Sequence, residues 1–176
     1  MGFFDKLFGS KEPAKPAVES VSAAEAADVV CSPVAGTPVP LSEVPDPVFS
    51  GGVMGKGCGV KPSEGVAYAP VSGEITAAFP TGHAFGIMGD NGVEVLIHIG
   101  MDTVGMNGKG FEIIAKQGAR VKAGEPLCTF SSAEIKAAGL DDTVIVVITN
   151  TDAFADVELA AEGAVAAGAA LLKVTK

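Results

Sequence analysis

The sequence predicts an all-β protein, a flattened antiparallel β-sandwich or barrel-like fold with two related halves and only short helical turns. Short runs rich in Val and Ile recur between Gly and Pro residues, a spacing typical of short strands joined by turns. Two pairs of short segments echo each other, which favours a structure built from two related halves. Asn91-Gly92, between two apolar runs, is a strong signal for a tight hairpin. The 176 residues are enough to bury one core.

The first 28 residues are predicted to lie outside the folded body, which we expect to occupy residues 29–176. The opening MGFFDKLFGS places its Phe and Leu side chains on one face of a short helix, so residues 1–10 are expected to contact a membrane surface weakly. A frayed terminus is the alternative, because so short a helix is unstable alone in water. Residues 11–28 are rich in Pro, Ala, Ser and charge, as in a flexible linker.

The body is predicted to consist mainly of strands. Their segments are VVCSPVAGTPVPL (29–41), GVAYAPVSGEITAAF (65–79), VEVLIHIG (93–100), LCTFS (127–131), DTVIVVITN (142–150) and ALLKVTK (170–176). Only residues 131–138 and 152–161 have a helical pattern.

The evidence for two related halves is a pair of internal echoes. SPVAGTPV (32–39) resembles APVSGEIT (69–76), and QGARVKAGEPL (117–127) resembles EGAVAAGAALL (162–172). The glycines shared by the second pair are expected to occupy tight turns with positive φ.

Composition excludes several classes of function. The formal net charge of −9 disfavours nucleic acid and anionic membranes and favours a basic partner. The chain has no long apolar run, no signal-peptide pattern, and three widely spaced cysteines without a C-x-x-C pair, so we expect a cytoplasmic protein with reduced thiols. It also lacks a P-loop, a G-x-G-x-x-G followed by a helix, and the G-x-S-x-G of serine hydrolases.

The two histidines, His83 and His98, are predicted to lie close together. If Asn91-Gly92 forms a two-residue turn, Phe85 pairs with His98 and His83 becomes a diagonal neighbour of His98. A register shifted by one residue places the histidines directly opposite each other. Either loop puts both on one face of the hairpin, whereas a loop of odd length would put them on opposite faces.

The strand that carries His98 has two different faces. One face is uniformly apolar and is predicted to form the core: Val93, Val95, Ile97, Ile99 and Met101. The other face carries Leu96 and His98 and is expected to point outward together with His83, Phe85 and Ile87. Such an apolar surface patch around two histidines is typical of a contact surface.

The residues leave three interpretations of the histidine pair open. The first is a cross-strand pair without function. The second is a zinc site, which would need ligands beyond these two side chains. The third is phosphoryl transfer, in which one neutral imidazole takes the phosphoryl group and the other donates a hydrogen bond to its oxygens.

Several motifs together resemble a known family. The strongest are APVSGEI (69–75), TGHAFGI (81–87), GVEVLIHIGMDTV (92–104) and GKGFE (108–112), supported by VPDPVF (44–49) and QGARVKAG (117–124). In these motifs the chain resembles the glucose-family enzyme IIA proteins of the bacterial phosphoenolpyruvate-dependent sugar phosphotransferase system. The resemblance covers the body from Val29 onward and implies a flattened antiparallel β-sandwich.

The resemblance implies a cytoplasmic phosphotransferase component with a phosphohistidine intermediate. His98 matches the residue that accepts a phosphoryl group from the phosphocarrier HPr, through Nε2. The group then passes to a cysteine on the IIB domain of a glucose-type sugar transporter (IIBC). His83 matches the histidine that stabilises the phosphoryl group, and Thr81 matches the residue that hydrogen-bonds to it. Backbone N–H groups from Gly100 to Thr103 are expected to help bind the phosphoryl oxygens.

The resemblance also implies a partner-binding surface. Asp46 and Asp102 match acidic positions that meet a basic partner, with solvated carboxylates as the alternative. The hydrophobic residues expected around the site are Phe49, Phe79, Phe85 and Leu96, with core packing as their alternative. No cofactor is required, although His83 and His98 could bind zinc with a carboxylate from a partner.

The chain departs from well-known relatives at three positions of the motifs. Leu96 and Ile99 stand where aromatic residues are common, and Gly82 replaces a polar residue beside His83. We expect the chemistry to survive these changes and the preference for partners to shift.

Two other functions are weighed against the phosphocarrier. A biotinyl- or lipoyl-type carrier shares the G-x-x-V-x-x-G-x-x-L pattern at 118–127, but it needs a lysine at a hairpin tip, and Lys136 lies in a helical pattern. A regulatory module with the same fold would bind partners, including other permeases or enzymes, without transferring phosphate. The sequence names neither the sugar nor the transporter.

Overall fold

The computed structural model describes residues 18–176, so the predicted amphipathic start, residues 1–10, lies outside the described residues. The strands in the described chain, numbered in order, are β1 (Val29–Cys31), β2 (Gly36–Pro40), β3 (Lys56–Pro62), β4 (Val66–Tyr68), β5 (Gly73–Ala78), β6 (Ala84–Gly89), β7 (Glu94–Ile99), β8 (Phe111–Ile113), β9 (Arg120–Val121), β10 (Pro126–Phe130), β11 (Val144–Ile148), β12 (Asp156–Leu159) and β13 (Ala170–Thr175). The helices are α1 (Pro47–Ser50), α2 (Ser132–Ala137) and the 3₁₀ turns Leu41–Glu43, Thr103–Met106 and Thr151–Ala153.

The strands form three sheets in which every pairing is antiparallel. The main sheet has seven strands in the order β2-β3-β11-β7-β6-β5-β9. Two three-stranded sheets have the orders β1-β13-β12 and β4-β10-β8. This arrangement confirms the predicted all-β sandwich with only short helical turns.

The main core lies against one face of the central strands. Val93, Val95, Ile97 and Ile99 are buried in it, as the alternation of β7 predicts. Met101 is also buried, but it belongs to a smaller cluster with Phe49 on the opposite face of the sheet. That face was predicted to be open to solvent, and the segment containing α1 covers part of it.

The predicted register of the β6–β7 hairpin is wrong. Ala84, and not Phe85, pairs with His98, and the turn therefore contains the three residues 90–92. The Asn91 side chain accepts a hydrogen bond from the N–H of Val93, and Gly92 has φ of 89°, a combination that favours a three-residue turn over a two-residue turn. The odd loop turns Phe85 to the core face, where it is completely buried.

The two predicted halves are related by matching hydrogen bonds. Cys31 donates to the carbonyl of Pro70, while Tyr68 donates to the carbonyl of Pro33, so the first pair of echoes is joined reciprocally. In the second pair, the N–H of Gly168 binds the Ser32 carbonyl. The N–H of Gly124 likewise binds the Ala69 carbonyl, at the equivalent place in the other half.

The described part of the predicted linker lies against these halves. The N–H of Val21 donates to the Gly124 carbonyl at 2.9 Å, and the N–H of Ala24 donates to the Gly168 carbonyl at 2.8 Å. Gly124 has φ of 93°, and a Cβ there would lie 2.2 Å from the Val21 carbonyl oxygen. Residues 21–24 therefore pack against equivalent turns of the two halves.

One of the two predicted helical segments is confirmed. Helix α2 lies within residues 131–138 and begins after Ser131, whose hydroxyl accepts a hydrogen bond from the N–H of Glu134. The prediction for 152–161 is wrong, because β12 pairs with β13 and buries Val157 between the partly exposed Asp156 and the exposed Glu158. Strand β3 was not predicted, since its glycines and lysines weaken the usual strand pattern.

No helix among the described residues is long and apolar enough to cross a membrane.

Candidate functional site

His98 lies near the end of β7, on the face away from the main core. Its ring packs against Phe49, with 5.2 Å between ring centroids. The strand pairing places it opposite Ile145 of β11, whose side chain belongs to the same small cluster as Phe49. The segment around α1 therefore forms an apolar wall beside His98 and leaves the imidazole only partly exposed.

His83 precedes β6 and meets His98 in a contact between their rings. The ring centroids are 5.0 Å apart and the ring planes are inclined by 82°. The predicted meeting of the histidines is confirmed, but the reason given for it is wrong. The three-residue loop shifts the register of β6 against β7 by one residue. His83 itself lies just outside β6, after a turn at Gly82 with φ of 76°, so the alternation of side chains along a strand does not apply to His83.

Each imidazole has one nitrogen hydrogen-bonded within the protein. Nδ1–H of His98 donates to the Gly100 carbonyl at 2.8 Å, so Nε2 keeps the free lone pair. The Thr81 hydroxyl lies 2.5 Å from Nδ1 of His83, which confirms the predicted contact. The bonds at Nδ1 orient both rings and leave both Nε2 atoms for chemistry.

Both histidines are neutral at pH 7. Burial, and then the neighbouring His98, lower the pKa of His83 to about 4. Burial also lowers the pKa of His98, although its bond to Gly100 and the charges of Asp46 and Asp102 oppose this effect. A neutral imidazole is the form that can act as a nucleophile.

The lowered pKa of His83 predicts a stability that depends on pH. In the unfolded chain a histidine binds a proton near pH 6.5, whereas folded His83 does so only at about pH 4. Its contribution to stability is therefore complete above pH 6.5 and is lost as the pH falls toward 4. At about pH 5 the expected loss in the free energy of unfolding is about 1–2 kcal/mol.

Urea denaturation at about pH 7.5 and about pH 5 measures this loss. His83→Gln should lose less stability than the wild type over the same interval, by about 1–2 kcal/mol, because the carboxylates that titrate there are common to both proteins. Equal losses in the two proteins would contradict the lowered pKa.

The predicted hydrophobic residues occupy different positions. Phe79 is 44% exposed and its ring lies 5.4 Å from that of His83, which suits a contact surface. Phe49 contacts His98 but is buried, and Leu96 is partly buried against the small cluster. The prediction for Phe85 is wrong, because its side chain is 0% exposed in the main core.

The two predicted acidic residues both act on His98 through their charges. Asp46 is partly exposed and caps α1 by accepting a hydrogen bond from the N–H of Val48. Asp102 is exposed and has φ of 58°, a left-handed conformation that is uncommon outside glycine. Both carboxylates therefore add negative potential next to the imidazole.

The predicted backbone donors are only partly available. Gly100 and Met101 both donate their N–H groups within the protein, to the carbonyls of Thr143 and Asp141. This finding excludes them as ligands for an anion and leaves the amides of Asp102 and Thr103 from the predicted range.

The sequence reasoning missed exposed apolar side chains near the site, Val48, Val104 and Ile113, and also the exposed Val53 and Met54 in the loop before β3. Val48 precedes Phe49, and a Cβ on Gly82 would lie 3.2 Å from Ile113. Val53 is 84% exposed in the segment GGVMG. The sequence signal for this exposure was the pair of apolar residues between glycines, because side chains in such a glycine-rich loop are not expected to pack into a core.

The histidines alone do not make a zinc site. They offer two nitrogens, and the described residues contain no group of three or more His, Cys, Asp or Glu side chains arranged to hold a metal. Zinc in proteins takes at least three protein ligands. The described residues therefore do not fit a complete zinc centre, and zinc with a partner's carboxylate stays a prediction.

The alternative of a biotinyl or lipoyl carrier requires a lysine at a hairpin tip, and Lys136 does not occupy such a position. Lys136 lies on α2 and forms an ion pair with Asp142 at 3.8 Å. It is not at the tip of a hairpin.

Fold and site together define an antiparallel β-sandwich protein with a contacting pair of neutral histidines, of which His83 is buried and His98 is partly exposed. Residues 28–154, which include both histidines, match the family described as phosphoenolpyruvate-dependent sugar phosphotransferase system, EIIA 1. The chain therefore belongs to this EIIA family.

Individual relatives agree with this assignment. The glucose-specific EIIA component of Staphylococcus aureus (strain MRSA252) is 36% identical over 165 residues, covering 94% of this chain and 93% of the relative. The glucose permease IIA of Mycoplasma capricolum superposes with a TM-score of 0.72 at 36% identity, covering 82% of this chain and 93% of that one.

A second group of relatives is longer. The β-glucoside-specific EIIBCA component of Bacillus subtilis (strain 168) is 48% identical over 127 residues, which are 72% of this chain and 21% of the relative. The chain thus spans about a fifth of the length of this relative.

Proposed function

We propose that this protein is a phosphocarrier of the sugar phosphotransferase system, which takes a phosphoryl group from HPr on His98 and passes it to a cysteine of a IIB domain. The observation that carries the proposal is the contact between two neutral imidazoles, of which His98 has its Nδ1–H bound to a backbone carbonyl. Membership of the EIIA family and the relative in which EIIB, EIIC and EIIA are joined support the choice of partners.

Acceptance begins with the lone pair on Nε2 of His98. It attacks phosphorus, a P–N bond forms, and the bond from phosphorus to the donor breaks with its electron pair leaving on the donor. The His98 ring becomes positively charged as the bond forms. The Gly100 carbonyl and the carboxylates of Asp46 and Asp102 stabilise that charge, and they are in place before the reaction.

His83 stabilises the phosphoryl group in this proposal. When the Thr81 hydroxyl donates to Nδ1 of His83, the proton of the neutral ring sits on Nε2. That N–H is then available to a phosphoryl oxygen on the neighbouring His98. In the onward step a cysteine thiolate attacks phosphorus, the P–N bond breaks, and its electron pair returns to Nε2 of His98.

The surface around the site suits docking to protein partners. Exposed Phe79 and Val48 offer apolar contact area beside the imidazoles, and Asp46 and Asp102 offer negative charge to a basic carrier. Transfer between proteins then depends on positioning and charge stabilisation, without a bound nucleotide. The proposal includes a cytoplasmic location, where HPr and the cytoplasmic side of a transporter are both accessible.

Incubation with phosphoenolpyruvate, enzyme I and HPr tests this function. Intact mass spectrometry should show one added phosphate that survives base and is lost in acid, as expected for a phosphohistidine. The label should then move to an added IIB domain. A protein that stays unmodified while HPr is phosphorylated would overturn the proposal.

A further inference from the structure

Buried polar side chains are concentrated around the turn that follows His98. Among the described residues only four polar or charged side chains are buried: Ser32, His83, Thr103 and Thr143. Thr103 and Thr143 both contact this turn, and His83 contacts His98 itself. A buried hydroxyl costs free energy unless it is hydrogen-bonded, so the concentration indicates a turn that requires specific bonds.

Thr103 stabilises the turn that follows His98 through its hydroxyl and its methyl group. Its hydroxyl donates to the Ile99 carbonyl at 2.5 Å, and its side chain is 0% exposed. Its methyl group packs so closely on Gly100 that a Cβ there would lie 2.5 Å away. Gly100 has φ of 78°, so the conformation that aims its carbonyl at His98 is one that glycine adopts readily.

Asp141 and Thr143, in the segment just before β11, bind the same turn through their backbone carbonyls. The carbonyls of Thr143 and Asp141 accept from the N–H groups of Gly100 and Met101, each at 2.9 Å. One carboxylate oxygen of Asp141 accepts from both the N–H and the hydroxyl of Thr143, at 2.8 and 2.5 Å. This local turn fixes the two carbonyls in the orientation that the Gly100 loop needs.

We infer that Thr103 and Asp141 are positioning residues, which aim the Gly100 carbonyl at Nδ1 of His98 and so hold its imidazole in the tautomer with Nε2 free. Neither side chain touches the phosphoryl group. A displaced Gly100 carbonyl would let the proton move to Nε2, and the tautomer that results has no lone pair at the attacking atom. The inference rests on the proposed function for its kinetic consequence, but the tautomer itself can be observed without any partner.

The test compares Thr103→Val, Thr103→Ser and Asp141→Ala with the wild type. Nitrogen NMR of the His98 ring, at a pH where this imidazole is neutral, should show the proton on Nδ1 in the wild type and in Thr103→Ser. Thr103→Val and Asp141→Ala should show a mixture of tautomers. Their rates of phosphorylation by HPr should fall about tenfold or more, and serine should restore the rate at position 103.

The neighbouring Asp142 provides a matched control. Asp142 forms an ion pair with Lys136 on α2, so Asp142→Ala should keep both the tautomer and the rate. Asp141 is exposed, so its variant tests the inference even where the buried Thr103→Val fails to fold. An unchanged tautomer in folded Asp141→Ala would overturn the inference. If the wild type shows the expected tautomer but takes no phosphate from HPr, the proposed function fails and the positioning inference stands.

Discussion

His98→Ala is expected to abolish phosphorylation by HPr. Nε2 of His98 is the atom with a free lone pair beside the second imidazole, and the bond from Nδ1 to the Gly100 carbonyl keeps it so. Alanine removes the nucleophile, and the contacts of His83 give it no equivalent carbonyl partner. Intact mass spectrometry after incubation with phosphoenolpyruvate, enzyme I and HPr should therefore show no added phosphate.

The matched control for this variant is His83→Gln, which also removes one imidazole from the site. It should still gain one phosphate, because the acceptor nitrogen and its carbonyl partner remain. A phosphate on His98→Ala would contradict the assignment of the acceptor. Circular dichroism of both variants would establish that the β-sandwich is retained.

Transfer from phosphorylated His83→Gln to a IIB domain is expected to be about 10² to 10³ slower than transfer from the wild type. Removal of one preorganised donor to a developing anion typically has an effect of this size. His83 is 4% exposed and its Nδ1 contacts the Thr81 hydroxyl, so in the proposed tautomer its Nε2–H is held in place before the reaction. Glutamine presents an amide without the same hydroxyl support.

The rate of transfer to the IIB domain is measured by quench-flow. The reaction starts from the isolated phosphoprotein, so that this step is separated from phosphorylation by HPr. Met88→Gln is a suitable control, because Met88 is exposed on β6 at the end of the hairpin away from the histidines. It should transfer at the wild-type rate. Normal transfer by His83→Gln would remove the role proposed for His83.

The period-two pattern of residues 93–99 was sufficient to predict which side of β7 is buried. Val95, Ile97 and Ile99 lie in the main core because alternate side chains of a strand point to opposite faces. The same rule placed His98 on the other face, correctly. The family motifs added Thr81, whose contact with His83 is local and lies within one motif.

The hairpin register and the contacts made by turns could not be predicted from the alternation of side chains along a strand. A turn of three residues instead of two moved Phe85 into the core, and the turn at Gly82 brought His83 to His98 in spite of the changed register. Such an error follows from a choice between turn types of similar free energy. The contact of Asp141 with the Gly100 loop joins segments far apart in sequence, so no local pattern predicts it.

The position of phosphorus on the modified protein tests the central claim most directly. In ¹⁵N-labelled protein phosphorylated through HPr, the coupling between nitrogen and phosphorus identifies the bonded ring atom. We expect the phosphoryl group on Nε2 of His98, with Nδ1 still protonated and bound to the Gly100 carbonyl. Phosphorus on Nδ1 of His98, on His83, or on a residue other than histidine would contradict the account.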